Sequence, residues 1–310
     1  MALYLVTGGA GFIGSSLCHA LVARGDMVRV LDNFATGRAE NLAALEGKIE
    51  LVRGDICSPE TVRAAMQGVD YVLHQAALPS VQRSIDNPRE TDRVNVAGTL
   101  EVLTAAREAQ VKRVVFAASS SVYGESPTLP KVETMVPDPL SPYAVSKLAA
   151  EAYCRVFFHN YGLETVALRY FNVFGPRQDP KSHYAAVIPR FVTAALAGEP
   201  PTVYGDGEQS RDFCFIENCV EANLLACTAP GAPGKVFNIA CGTRTSLNDT
   251  LRLLSEILGR PIQPNHQPPR SGDIKHSLAD VSRARSILGY TGKISFAEGL
   301  ARTVAWFRQT

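Results

Sequence analysis

Thr7-Gly8-Gly9-Ala10-Gly11-Phe12-Ile13-Gly14 follows directly on the apolar run Leu3–Thr7. Its glycines satisfy both G-x-x-G-x-x-G (8, 11, 14) and G-x-G-x-x-G (9, 11, 14). Glycines so spaced allow a tight turn after a strand, let backbone N–H groups approach a pyrophosphate, and let the next helix pack close. A helix beginning near Phe12 presents its positive end to that anion. A glycine pattern alone also fits a plain turn, so its context decides. Asp32 closes the next apolar run, 32 − 14 = 18 residues past the last glycine. A carboxylate there accepts hydrogen bonds from ribose hydroxyls and repels a 2′-phosphate. The stretch predicts a strand–turn–helix unit holding a dinucleotide, NAD rather than NADP, with Arg38 near enough in sequence to leave NADP open.

Outward from this unit, short apolar runs alternate with helical patterns, the signature of βαβ units and a parallel sheet. Strands are expected at Leu3–Thr7, Met27–Asp32, 49–54, 71–75, 113–118 and 165–169, and helices at Gly98–Glu108 and 147–161. The nearly continuous apolar runs 69–73 and 114–117 fit strands covered by helices on both faces. After Asn172, stretches 174–180 and 200–212 turn rich in Gly, Pro and polar residues, like loops lining a cleft. Runs 212–216 and 236–239 look able to return to the sheet, and 242–310 form a smaller helical lobe entered through Pro-rich 261–269. The expected architecture is α/β, a doubly wound parallel sheet with a smaller mixed C-terminal substrate lobe. The cofactor domain would comprise 1–172 and 213–241, and the substrate lobe 173–212 and 242–310.

The 310 residues can bury a large core. A net charge of +1 gives no basic field for nucleic acid and no acidic tail. Seven cysteines without a C-x-x-C pair fit buried thiols of a reducing compartment better than a disulfide framework. No leader pattern or apolar run of ~18 residues appears, so a soluble cytoplasmic protein is expected. The six histidines (His19, His74, His159, His183, His266, His276) show no metal-ligand spacing, and no metal is expected.

A second constellation is Ser141-Pro142-Tyr143-Ala144-Val145-Ser146-Lys147. Ser141 suits an N-cap and Pro142 a first helical position, so Tyr143 and Lys147 stand one turn apart on one face. A free phenol, with pKa about 10, is a poor base at neutral pH. A neighbouring ammonium and a cationic nicotinamide ring would bring it toward the working range. Ser119-Ser120-Ser121 follows a strand, at the edge where doubly wound sheets bind ligands. A hydroxyl there can orient a reacting alcohol oxygen; loop capping by at least one of the three is also expected.

Together these segments resemble the extended short-chain dehydrogenase/reductase family over essentially the whole chain. His74-Gln75-Ala76-Ala77, Arg93-Val94-Asn95-Val96 and Arg169-Tyr170-Phe171-Asn172-Val173-Phe174-Gly175-Pro176 are similar to its nucleotide-sugar members. The resemblance implies a Rossmann fold with NAD against Gly8, Gly11, Phe12, Ile13, Gly14, Asp32 and Asn33. It adds Asp55, Ile56, Gln75, Ala76, Ala77, Asn95, Tyr143, Lys147 and Tyr170 to the cofactor's neighbours. Tyr143 is implied as base, with Lys147 beside it and Ser119 as the positioned hydroxyl. Ser120, Ser121, Asn172, Val187 and Tyr204 are implied around the UDP-sugar, Arg211 and Arg270 at its diphosphate, and Asp273 at a ribose. Helices 98–108 and 147–161 resemble the family's dimer-forming pair, which implies a homodimer.

Within the family, dehydratases look like Thr-Asp-Glu where this chain has Ser119-Ser120-Ser121, and decarboxylases look like Thr-Ser-Glu. No carboxylate stands there to eliminate water, which points to oxidation and reduction at carbon 4, a 4-epimerisation. The residue seven after the Arg270 position walls the sugar's C2 substituent in the epimerases, and here it is Ser277. A small residue there, with Gln178-Asp179-Pro180 and 184–189, resembles epimerases acting on UDP-N-acetylglucosamine. An epimerase for plain UDP-glucose or UDP-glucuronate, and an NAD-binding regulatory protein without turnover, remain alternatives.

Overall fold

A computed structural model describes residues 1–180, 186–269 and 275–309. The first half runs β1 (Leu3–Thr7), α1 (Phe12–Ala23), β2 (Met27–Asp32), β3 (Glu50–Arg53), α2 (Pro59–Met66) and β4 (Tyr71–His74). It continues through α3 (Val81–Asp86), α4 (Pro88–Asp92), α5 (Gly98–Glu108), β5 (Arg113–Ser119), α6 (Pro142–Tyr161) and β6 (Thr165–Tyr170). The second half adds β7 (Val173–Phe174), α7 (Val187–Ala197), β8 (Thr202–Tyr204), β9 (Ser210–Arg211), β10 (Cys214–Phe215) and α8 (Ile216–Thr228). Then come β11 (Lys235–Ile239), β12 (Thr245–Ser246), α9 (Leu247–Leu258), β13 (Asn265–Gln267) and α10 (Phe296–Phe307).

Seven strands form one sheet in the order β11-β6-β5-β4-β1-β2-β3, every neighbouring pair parallel. The order reverses between β1 and β4, so the crevice at their carboxyl ends is the switch point where such sheets bind ligands. Both faces are covered. Leu17, Leu21, Val30, Leu168 and Phe237 belong to one buried cluster, and Val72, Val102, Phe116 and Phe157 to another. Burial on both faces explains the continuous apolar runs in β4 and β5.

Helix boundaries follow their capping residues. Ser141 Oγ accepts from Ala144 N at 3.2 Å, Pro142 opens α6, and Gly162 ends it in the left-handed region. By contrast, α1 begins at Gly11 with no side-chain cap, leaving its first turn open to an anion.

The stretch 212–216 does not rejoin the main sheet as expected. Cys214–Phe215 pairs instead with Val173–Phe174 in a separate two-stranded sheet. The position beside β6 is taken by β11, and the buried Asp212 carboxylate pins this segment to Cys241, Gly242 and Ala279. Part of Pro-rich 261–269 is a strand too, β13, parallel to β8. All seven cysteines are free thiols, and among the described residues no helix is long and apolar enough to cross a membrane.

Candidate active site

A cavity of about 720 Å³ opens at the switch point. Gly8, Gly11, Phe12, Ile13 and Gly14 form its floor, beside Asp32 at the end of β2, Asn33 just after it, and Asp55 and Ile56 after β3. Gln75, Ala76 and Ala77 after β4, Tyr143 and Lys147 on α6, and Tyr170 closing β6 also line its wall. Gly8 has φ +68°, and a side chain at Gly14 would put Cβ 2.1 Å from the Gly8 carbonyl oxygen. That contact leaves only glycine at 14. A Cβ on Gly9 would strike Val30 instead, and Gly9 is not in the cavity wall, so G-x-x-G-x-x-G describes the working loop.

These groups fit a dinucleotide. The open end of α1 lies in the wall at Gly11, where a Cβ would meet only the Gly8 oxygen within 4 Å, at 3.2 Å. Asp32 is fixed by accepting from Ala10 N (2.8 Å) and Phe34 N (2.7 Å) while still lining the cavity. Arg38, the cation that left NADP open, is ion-paired with Glu40 and Asp179, each at 3.5 Å.

Asn95 departs from its expected place. It is 1% exposed and lies behind the wall, not in it. Its Oδ1 accepts from Leu78 N at 2.8 Å, while Nδ2 donates to Leu78 O and Ser146 Oγ. Its amide is used to hold Leu78, which does line the cavity. His74 is equally structural, sandwiched between the hydroxyls of Thr7 (2.7 Å) and Thr99 (3.0 Å), with burial lowering its pKa to about 3. Asn223 of α8 carries no local sequence signal, yet its Oδ1 accepts from Tyr170 Oη (3.0 Å) and Gln75 Nε2 (3.2 Å).

Tyr143 and Lys147 stand in the same wall. Lys147 is 4% exposed, and its Nζ donates to Ala117 O at 2.9 Å, 5.0 Å from the Phe116 ring centre. Burial lowers its pKa to about 8. Burial pushes the Tyr143 phenol above its ordinary value, and a hydrogen bond with Ser119 pulls against that. The Lys147 ammonium is engaged by the Ala117 carbonyl, and desolvation is the larger influence on the Tyr143 phenol. Ser119 is itself the capping serine. Its Oγ accepts from Ser121 N (3.2 Å) and Ser121 Oγ (2.9 Å). Ser120 continues the same tight turn to Tyr123.

The sugar-side candidates gather around Asp212. Asn172 Nδ2 donates to Asp212 O (3.2 Å) and to Ser277 Oγ (3.3 Å), 105 residues away. Arg211 Nη1 donates to the carbonyls of Ser210 (3.1 Å) and Lys275 (3.3 Å), and Ser277 N donates to Ser210 O. The fully buried Asp212 carboxylate accepts from the backbone N–H groups of Cys241 (2.9 Å), Gly242 (3.0 Å) and Ala279 (3.2 Å). Burial still raises its pKa to about 6 against their pull. Val187 opens α7 and Tyr204 closes β8. Ser119, Ser120, Ser121, Asn172, Val187, Tyr204, Arg211 and Ser277 are not in the wall of the 720 Å³ cavity. Arg270 and Asp273, with Tyr184 and Ala185, lie outside the described residues. Among the described residues no group of three or more His, Cys, Asp or Glu could hold a metal ion.

Residues 4–240 match the NAD dependent epimerase/dehydratase family. The UDP-glucose 4-epimerase of Mycolicibacterium smegmatis is 41% identical over 308 residues, 98% of each chain. Among solved structures, the UDP-N-acetylglucosamine 4-epimerase from Methanobrevibacter ruminantium M1, in complex with UDP-N-acetylmuramic acid, superposes with a TM-score of 0.94. It is 40% identical and covers 99% of this chain and 98% of its own. The Thermus thermophilus UDP-glucose 4-epimerase complex with NAD has a TM-score of 0.89 at 38% identity, covering 99% of both chains. The chain belongs to the NAD-dependent epimerase/dehydratase family, the extended short-chain dehydrogenases/reductases. NAD is its cofactor.

Proposed function

We propose that the protein inverts carbon 4 of a UDP-hexose through a 4-keto sugar, with UDP-N-acetylglucosamine and UDP-N-acetylgalactosamine as its principal pair. UDP-glucose and UDP-galactose are admitted as lesser substrates. The carrying observation is that Tyr143 and the buried Lys147, one turn apart on α6, stand in the wall of the cofactor cavity, with Ser119 ending β5. Ser119 sits in a serine segment without a carboxylate for elimination.

Tyr143 takes the proton of the C4 hydroxyl, directly or through Ser119, and returns it to the inverted alcohol. When bound, NAD supplies the acceptor and donor of hydride at C4, and its cationic ring acidifies the phenol. Lys147 is held by the Ala117 carbonyl, and both residues line the cavity. Arg211 and Arg270 hold the diphosphate, Asp273 a ribose, and Asn172 the sugar diphosphate, so that the hexose end can turn while the nucleotide stays. Val187 and Tyr204 close the sugar side. Ser277 leaves room for an acetamido group on C2, which is what favours the acetylated pair. An open pocket does not by itself reject a plain hexose, hence the lesser substrates.

In this reading residues 1–172 and 213–241 serve the cofactor, and 173–212 and 242–310 the UDP-sugar. A homodimer through α5 and α6 would cover Val145 and Val156, which are 50% and 41% exposed on α6. A cytoplasmic setting, where UDP-sugars and reduced thiols coexist, completes the proposal. Proton NMR of UDP-N-acetylglucosamine with the protein and no added reductant is the test. Growth of the C4 epimer to a fixed ratio is expected. No inversion of this or any UDP-hexose would refute the activity, and inversion of UDP-glucose alone would refute the substrate choice.

A further inference from the structure

We infer that Arg177 is a ligand of the NAD pyrophosphate contributed from the loop after β7, and that residues 176–180 form a strap holding the cofactor in place. The inference deepens the cofactor site described above and rests on it. Arg177, Gln178 and Asp179 line the same cavity as Gly11, Phe12 and Ile13 at the open end of α1. Arg177 Nη2 donates to Ser16 Oγ of α1 at 3.2 Å, across 161 residues of chain. The arginine adopts φ +70°, a left-handed conformation that side chains other than glycine rarely take. Such backbone persists where the surroundings over-determine it, commonly at ligand clamps.

The polar groups of the strap are also incomplete. Arg177 Nε and Gln178 Oε1 are buried and find no hydrogen-bond partner among the described residues. A guanidinium placed this way is costly unless an anion completes it. Burial also works against the Arg177 charge. At the other end of the strap, Asp179 pairs with Arg38 of the loop after β2 at 3.5 Å. That pair is too exposed to count for much alone, yet with Ser16 it fastens the strap to the cofactor side at two points.

Two diphosphates enter this enzyme, the cofactor's and the sugar nucleotide's, and both would suit a guanidinium fork. Position favours the cofactor's. Arg177 lies at the glycine turn and α1, whereas Arg211 and Ser277 stand outside this cavity. A reaction that removes and restores the same hydrogen needs its dinucleotide to stay through each turnover, and a strap across the pyrophosphate supplies that retention.

The test measures NAD itself. Nucleotide is released from the purified protein and quantified, and NAD dissociation is followed with wild type, Arg177→Met, Arg177→Lys and Asp179→Asn. Binding to the stripped proteins is then measured by calorimetry. Arg177→Met is expected to release NAD about ten- to hundredfold faster than wild type, the range for losing a charge-assisted hydrogen bond. Arg177→Lys should fall between them, since a point charge replaces a fork, and Asp179→Asn should show a smaller acceleration. If Arg177→Met does not fold, the lysine variant and Asp179→Asn decide. NAD release unchanged in the variants would overturn the inference. So would unchanged release with a raised KM for the UDP-sugar, which would assign Arg177 to the substrate's diphosphate. A wild type that bound no NAD would unseat the cofactor site itself, a separate result that removes this inference with it.

Discussion

The cofactor cavity and the cluster proposed to hold the sugar are built in different ways. The cofactor side is made of backbone near one end of the sheet. Gly8 N donates to Leu31 O at 2.8 Å, Asp32 takes the amides of Ala10 and Phe34, and Gly14 packs on the Gly8 carbonyl. The side proposed for the sugar is made of side chains and loop amides distant in sequence. Asn172 meets Ser277, Arg211 meets the Lys275 carbonyl, and one buried carboxylate, Asp212, ties 241, 242 and 279 together. A site of the first kind is rigid as soon as β1 and β2 pair. A site of the second kind depends on a single hub and can be retuned by one residue without disturbing the sheet. Damage to the first should appear as lost cofactor and stability, and damage to the second as altered KM and substrate preference.

The largest effect is expected where the two sides meet. Tyr143→Phe removes the proton acceptor and should cut the inversion rate about 10²- to 10⁴-fold, with NAD still present in the isolated protein. A variant that lost NAD instead would mean that Tyr143 belongs to the cofactor side alone. Next comes Gly14→Ala, whose Cβ would stand 2.1 Å from a backbone oxygen. Overpacking of this kind costs about 1–3 kcal/mol, so the melting temperature and the NAD content should fall together. An alanine that left both unchanged would break the contrast drawn here. Ser277→Tyr should act on preference only, lowering kcat/KM for UDP-N-acetylglucosamine about tenfold relative to UDP-glucose, the scale of a single pocket contact. An unmoved ratio would remove Ser277 from the pocket.

The smallest effect is a pH dependence confined to the sugar side. The Asp212 pKa is raised to about 6 by burial, so its proton binds more tightly in the folded chain than in the unfolded one. Stability from this group is therefore greatest below the ordinary carboxylate value and is lost as pH rises through about 6. Function runs the other way, because a protonated carboxyl accepts less well from the amides of Cys241, Gly242 and Ala279. KM for the UDP-sugar should rise a few-fold, about threefold, as pH falls below about 6, and that limb should vanish in Asp212→Asn while NAD affinity holds. His74 has the opposite linkage: its lowered pKa means stability lost as pH falls below 6.5. An NAD affinity that followed the Asp212 limb would show the two sides to be coupled.

The same contrast explains what the sequence made legible. The glycine turn, Asp32 and the Tyr143/Lys147 pair act through neighbours within a turn or an adjacent strand, and local spacing encodes such contacts. The strands of the main sheet were readable from apolar runs for the same reason. Arg177, Asn223 and the hub role of Asp212 act across 161, 148 and 67 residues, and nothing in local pattern marks them. Asn95 shows a subtler limit: a motif places a residue near a wall without telling which side it faces. The run 212–216 was apolar enough for a strand, but pattern carries no information on which edge is already occupied.

The most direct test follows the hydrogen on carbon 4. UDP-N-acetylglucosamine labelled with deuterium at C4 is incubated with the protein in ordinary water, and the product is examined by NMR. The account predicts a C4-inverted sugar that keeps its deuterium, because the hydrogen leaves as hydride and returns to the same carbon within one closed cleft. An inverted product carrying solvent hydrogen at C4 would contradict it.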